Sequence, residues 1–192
     1  WYYTDKETNE EKTTTTYSTG DFYLCGDPNP DLYGGFGTSI TFHGFDLSTQ
    51  FSYLVGGLTY DYGYARMMGN PTATSVGNRW HKDVLKAWSP ENPSSTIPRW
   101  HFNDLNTTGS SDRFLIDGSY LNLQNIQVGY TLPDSWTSHL KIKNLRLYFV
   151  CDNVYYWSKR KGLDPRRSIS GVGTSGKIAP FRTYSGGISL QF

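Results

Sequence analysis

Nowhere does this chain hold an apolar run approaching the ~20 residues that a transmembrane helix requires. That excludes a helical membrane protein but not a membrane barrel, whose strands are apolar on one side only. Charge of one sign is equally scarce. The 18 Lys+Arg and 17 Asp+Glu leave a net charge of +1, so no electrostatic footprint for nucleic acid exists. The local basic piece Lys159-Arg160-Lys161 fits a solvated loop. Only two cysteines occur, Cys25 and Cys151, without C-x-x-C or zinc spacing, and the sequence leaves open whether they pair. The four histidines (His43, His81, His101, His139) fall in separate turns and loops and form no H-E-x-x-H motif. His81 and Asp83, two apart in an expected helix, should point to different faces. No G-x-S-x-G occurs. The Gly171–Gly176 stretch superficially resembles a dinucleotide loop, but no helix follows it. These absences leave no catalytic residues, no metal site and no cofactor to assign, and the expectation is a protein that is not an enzyme.

What is abundant points elsewhere. Aromatics make up 16% of the chain, with 15 Tyr and 6 Trp beside 20 Gly, while hydrophobic residues reach only 36%. Disorder goes with few aromatics and high net charge, so this composition favours strands joined by polar loops. Aromatic belts at membrane interfaces would add to the Tyr and Trp content. The first 31 residues are polar and turn-rich, with a charged hairpin tip over Asp5–Lys12 and a strong turn signal at Asp27-Pro28-Asn29-Pro30-Asp31.

Five segments then alternate with period two, as strands with two unlike faces do. The first carries Phe36, Thr38, Ile40 and Phe42 against Gly37, Ser39 and Thr41. His43-Gly44 makes a tight turn into the second, where Phe45, Leu47, Phe51, Tyr53 and Val55 oppose Asp46, Ser48, Gln50 and Ser52. The third, about 119–132, changes phase: Leu121 and Leu123 are odd, while Ile126, Val128, Tyr130 and Leu132 are even. One extra residue near Gln124-Asn125 restores the face, which predicts a β-bulge there. The fourth sets Leu145, Leu147, Phe149, Cys151 and Tyr155 against Arg146, Tyr148 and Asp152. In the fifth, Tyr184, Gly186, Ile188, Leu190 and Phe192 alternate with Ser185, Gly187, Ser189 and Gln191.

Connections between these segments run short, long, short, long, with long ones near 60–117 and 158–181. An up-and-down membrane barrel has this rhythm, with short periplasmic turns and longer outer loops, and the parity puts Phe192 on the short-turn side. Within the first long loop, Trp80, Val84, Leu85 and Trp88 follow helical spacing before Ser89-Pro90, which predicts a short amphipathic helix over 75–88. Five strands cannot close, since the smallest membrane barrels need about eight. The chain starts at Trp1 with no initiator Met or signal peptide, so it is expected to be a mature or internal fragment.

Ordered blocks over roughly residues 20 to 192 carry a specific resemblance. They begin with Pro30-Asp31-Leu32-Tyr33-Gly34-Gly35-Phe36-Gly37 and Gly44-Phe45-Asp46-Leu47-Ser48. Trp80-His81-Lys82-Asp83, Ala87-Trp88-Ser89-Pro90-Glu91-Asn92-Pro93 and Ile97-Pro98-Arg99 follow. Then come Ser111-Asp112-Arg113-Phe114-Leu115, Ser119 to Ile126, Gly129-Tyr130-Thr131-Leu132-Pro133, Asp152-Asn153-Val154 and Gly162-Leu163-Asp164-Pro165-Arg166, before the strand ending in Phe192. In this order they resemble the C-terminal end of the SusC/RagA family of TonB-dependent outer-membrane transporters. The resemblance implies an all-β fold: the C-terminal antiparallel strands of a large transmembrane β-barrel of about twenty-two strands, with a short helix in a long extracellular loop. It implies residence in the outer membrane of a Gram-negative bacterium and a plug domain absent from this chain. It also implies import of oligosaccharides or peptides with a SusD-like surface lipoprotein as lid, energised through the TonB complex.

Several residues become candidates on that basis. Tyr184, Ile188, Leu190 and Phe192 would form an outer-membrane assembly signal. Asp46, Gln50, Arg146, Asp152 and Gln191 would line the lumen or contact the plug. Trp80, Trp88, Trp100 and Trp157 could stack on sugar rings, meet the lid or pack the loops together. The rival from another class is a soluble secreted β-sandwich that binds carbohydrate, and a third is a barrel enzyme or passive porin.

Overall fold

A computed structural model describes residues 1–73, 79–104, 106–107, 109–137, 142–159 and 180–192. They form two compact units: a sheet unit of 28–58 and the described residues from 117 onward, and a loop unit of 1–27 and the described residues of 59–116.

The sheet unit contains five antiparallel strands in the order β3-β4-β7-β8-β9. They are β3 (Leu32–Phe42), β4 (Phe45–Val55), β7 (Tyr120–Thr131), β8 (Asn144–Ser158) and β9 (Thr183–Gln191). All neighbours pair antiparallel, and the strands joined by short turns sit side by side. His43 and Gly44 both take positive φ (47° and 84°), as a two-residue hairpin turn between right-twisted strands demands. The turn between β7 and β8 carries a short helix, α2 (Asp134–Thr137).

The bulge expected near Gln124 is present. Gln50 and Phe51 of β4 are adjacent, but their partners are Asn125 and Leu123, so Gln124 is the extra residue. Against β8 the compensation continues. Leu123 pairs with Tyr155 and Asn125 with Asp152, which gives β8 one further residue around Asn153, itself in the left-handed region at φ 52°. The two extra positions keep the apolar parity on one side across β7 and β8.

The register assigns the faces. One face collects Phe36, Ile40, Phe42, Phe45, Leu47, Phe51, Ile126, Val128, Leu147, Phe149, Ile188 and Leu190 through cross-strand pairing. The other collects Ser39, Asp46, Gln50, Asn122, Asn125, Arg146, Asp152 and Ser189. Large apolar side chains of the first face are exposed on β3, β4, β7, β8 and β9, while Asn122 on the polar face is only 2% exposed. No second sheet covers the apolar face among the described residues, contrary to what a sandwich requires.

In the loop unit, β1 (Tyr2–Thr4) and β2 (Glu11–Thr13) form the expected charged hairpin, its tip held by an Asp5–Lys12 ion pair. At the two ends of the long connection, β5 (Leu58–Tyr60) and β6 (Leu115–Asp117) form a two-stranded ribbon. Between them lies α1 (Tyr62–Met68), capped by the Asp61 carboxylate accepting from the Tyr64 amide at 2.9 Å. The helix expected over 75–88 is replaced in its described part by a five-residue 3-10 turn, Lys82–Lys86; positions 74–78 lie outside the described residues. The loop does carry a short α-helix, but earlier in the sequence, where Asp61 supplies the cap. Phe114, 3% exposed, and Met68 form the core, with Tyr60 and Tyr64 edge-on to the Phe114 ring. No helix among the described residues is long and apolar enough to cross a membrane.

Candidate functional site

Two groups of side chains carry functional potential, one in each unit. On the polar face of the sheet, Asp46 of β4 and Arg146 of β8 form a two-pronged ion pair, with Nε to Oδ1 at 2.9 Å and Nη2 to Oδ2 at 2.5 Å. The two residues are not on neighbouring strands: β7 runs between them, with Gly129 as the register partner of Asp46. A Cβ at Gly129 would collide with both the carboxylate and the guanidinium. Glycine at this position is therefore what lets a charge pair lie flat across a strand. Arg146 also sits over the Tyr148 ring, 5.5 Å from its centroid, and Tyr148 in turn covers Gly187 of β9.

The other sequence-nominated residues of this face divide. Asp152 accepts a hydrogen bond from the Asn125 amide at 2.7 Å. Gln50 lies in the same cross-strand row, opposite Asn125. Gln191 stands apart at the short-turn end, opposite Asn144. Thus the structure joins Asp46 to Arg146 and aligns Gln50 with Asp152, while Gln191 is separate. Alternation put Tyr148 and Gly187 on this face without nominating them as site residues, and it singled out neither Gly129 nor Asn125. The only trace in the sequence is a glycine at an inward-facing position among polar residues.

In the loop unit, the indoles of Trp80 and Trp100 meet edge to face at 5.6 Å. Both donate to one carbonyl, that of Gly69, at 3.0 and 3.2 Å. Trp88 is partly exposed, its amide donating to the Ile97 carbonyl at 2.8 Å. Trp157 does not belong to a loop. It lies at the C-terminal end of strand β8 on the apolar face, 4.8 Å from the Tyr155 ring. Asn70 is a buried clip, donating to the Asp104 carbonyl at 2.8 Å and to the Thr107 hydroxyl, and accepting from the His101 amide at 3.2 Å.

His81 and Asp83, expected on different faces, are brought together at 3.1 Å. The reason is local: His81 is an extended cap residue (φ −72°, ψ 144°), not part of a helix, and its Nδ1 accepts from the Asp83 amide. Asp83 also accepts from Lys86 at 3.2 Å and from the Tyr64 hydroxyl at 3.0 Å, and the Lys86 bond first, then the Tyr64 bond, lower its carboxyl below the usual range. Tyr23 donates to Asp112 at 2.7 Å, and this bond pushes its hydroxyl up to about 12. A cavity bounded by Met68, Val84, Ile97, Trp100 and Arg113 has a volume of about 10 Å³, room for about one water. No His, Cys, Asp or Glu cluster suited to a metal occurs among the described residues. Cys25 and Cys151 are both free thiols. The Gly171–Gly176 loop, His139, Arg160 and Lys161 lie outside the described residues.

Comparison with known proteins follows the same lines. No family model matches the chain. It is 30% identical over 185 residues to TonB-dependent receptor P3 of Formosa agariphila, covering 91% of this chain and 18% of that protein. It is 27% identical over 182 residues to TonB-dependent receptor SusC of Bacteroides thetaiotaomicron, covering 92% of this chain and 17% of that one. Among solved structures, the RagAB peptide importer in its "closed-closed" state superposes with a TM-score of 0.77 at 23% identity, over 97% of this chain and 20% of that one. Its "open-open" state gives a TM-score of 0.73 at 24% identity. The chain spans less than a fifth of the curated relatives it matches.

Proposed function

We propose that this chain, a segment of a SusC/RagA-type TonB-dependent receptor, forms C-terminal barrel wall in an outer-membrane importer of oligosaccharides or peptides. The observation that carries the reading is the two-faced sheet. Five antiparallel strands, with large apolar side chains exposed on one face of every strand and polar side chains collected on the other, suit lipid on one side and a lumen on the other. Strands β3 and β4 have 11 residues each, within the 9–11 residues a tilted strand needs to span a bilayer. A sheet of five strands leaves β3 and β9 with open edges, which hydrocarbon does not tolerate, so the remaining wall comes from the rest of the receptor.

In this reading Asp46, Gln50, Arg146, Asp152 and Gln191 face the lumen. Tyr184, Ile188 and Leu190 lie on the apolar face of β9, and Phe192 continues their parity; these four serve assembly. Trp80 and Trp100 hold the outer loop together, Trp88 remains for contact with sugar or a SusD-like lid, and Trp157 with Tyr155 sits where interfacial aromatics belong. Uptake draws its energy from the TonB complex through parts of the receptor outside this chain.

The test uses the full-length receptor in its own cells. It should fractionate with the outer membrane, and its deletion should abolish uptake of one labelled glycan or peptide class in an energy-dependent manner. A receptor found in the soluble fraction, or uptake insensitive to collapse of the proton gradient, would overturn the proposal. Phe192→Ala should lower the amount inserted while leaving uptake per inserted molecule unchanged.

A further inference from the structure

Of the nine residues of β9, Gly187 alone is not exposed. What shields it is the Tyr148 side chain from β8, which occupies the space a Cβ at Gly187 would need. The Arg146 guanidinium lies over the Tyr148 ring, 5.5 Å from its centroid. Arg146 is fixed in turn by both oxygens of Asp46, across Gly129. These contacts make one continuous line over the polar face, from β4 across β7 and β8 to β9. Both crossings, over β7 and onto β9, are made where the underlying residue is glycine.

A strand whose inward residues are Thr183, Ser185, Gly187, Ser189 and Gln191, all small but the last, has little of its own to specify register. Small polar and glycine-rich strands are prone to slip, and a slip of two residues keeps Ile188 and Leu190 on the apolar face, so alternation alone does not oppose it. From this we infer that the line Asp46–Arg146–Tyr148–Gly187 is a brace that positions β9 in register, so that its free edge is presented correctly to the next strand of the barrel. Tyr148 and Arg146 act as positioning residues: Tyr148 stops β9 from sliding, and Arg146 stops the Tyr148 ring from swinging away. The inference rests on the barrel reading above.

Register can be read by disulfide trapping in the full-length receptor, in a background with Cys25→Ala and Cys151→Ala. Val150→Cys with Ser185→Cys, register partners on the polar face, reports the native pairing. Val150→Cys with Thr183→Cys, two residues off the native partner and clear of Gly187, reports a two-residue slip. With Tyr148 intact the first pair should cross-link and the second should not. Tyr148→Ala should lower the native-to-slipped ratio at least about threefold, the scale of a lost ring contact. Tyr148→Phe removes the hydroxyl, the atom nearest Gly187, but keeps the ring edge beside it, so it should lower the ratio less than Tyr148→Ala. Arg146→Lys, a milder change that keeps the charge but loses the planar clasp, should lower it less, and combining Asp46→Arg with Arg146→Asp should restore part of it. An unchanged ratio in Arg146→Lys, and in Tyr148→Ala where that variant is recovered, would sink the brace. Failure of the barrel reading looks different: neither cysteine pair would then be found in the outer-membrane fraction of the unbraced or the braced receptor.

Discussion

The sheet unit and the loop unit expose different kinds of side chain. The loop unit folds Phe114 and Met68 into a small core beside the buried polar Thr59, Asp61 and Asn70. In the sheet the sense is reversed along most of its length. Phe36, Phe42, Phe45, Phe149 and Ile188 are exposed, while Asn122 is shielded and Asp46 meets Arg146 across a glycine. The loop unit is organised by water, which drives apolar groups inward. In the proposed barrel the sheet meets a solvent that is itself apolar, in which the backbone must be satisfied by the strands and polar side chains must turn to the other face. Their stability accordingly has different sources: one small core and several polar clips in the loop, long ladders of backbone pairing in the sheet.

The largest expected effect breaks the loop side of this comparison. Phe114→Ala removes the central ring of a very small core, and such truncations cost about 3–5 kcal/mol. Limited proteolysis should open the loop unit under conditions where the five strands keep their hydrogen-exchange protection. Next comes a one-residue contrast in the sheet. Val128→Arg places a charge on the apolar face and should lose about 2–4 kcal/mol if that face meets mid-bilayer lipid, whereas Gln127→Arg, on the other face, should insert normally. Heat-dependent gel mobility of the outer-membrane fraction distinguishes them, and equal insertion of the two variants would remove the basis for assigning the faces.

A smaller effect tests the polar clips. Asn70→Ala leaves the half-buried Asp104 carbonyl and the His101 amide without their partner, a loss of about 1 kcal/mol. It should raise amide exchange around 101–107 without touching β7 or β8. Smallest is a titration at the outer end of the sheet unit. Hydrogen bonds from Lys159 at 2.7 Å, and then from Ser119, bring the Asp117 carboxyl from an ordinary 3.8 down to about 2. A lowered folded pKa means its contribution is present above pH 3.8 and disappears as pH falls through about 2. Lys159→Met should move the Asp117 midpoint back towards 3.8, as read from its carboxyl NMR shift; no movement would show that the ion pair is not formed in solution.

Much of this architecture follows from local rules. Alternation of Phe45, Leu47, Phe51 and Tyr53 with Asp46, Ser48 and Gln50 fixes two unlike faces, because successive side chains of a strand point oppositely. The change of phase between Leu123 and Ile126 locates the bulge for the same reason. His43-Gly44 specifies its turn through the positive φ that glycine allows at its second position. Local reasoning failed at the loop helix, where Trp80, Val84 and Trp88 have helical spacing but tertiary packing uses them differently: both indoles of the Trp80–Trp100 pair go to the Gly69 carbonyl. It failed again for His81 and Asp83, since the expected helix never reaches His81.

The sequence by itself determined which side chains share a face, because that depends only on parity along each strand. Which of them meet was decided by the tertiary structure alone. Asp46 and Arg146 are a hundred residues apart, and their contact depends on the register of two strand pairings and on the missing side chain of Gly129 between them. No local pattern encodes such a meeting, since it arises only when three strands are laid side by side.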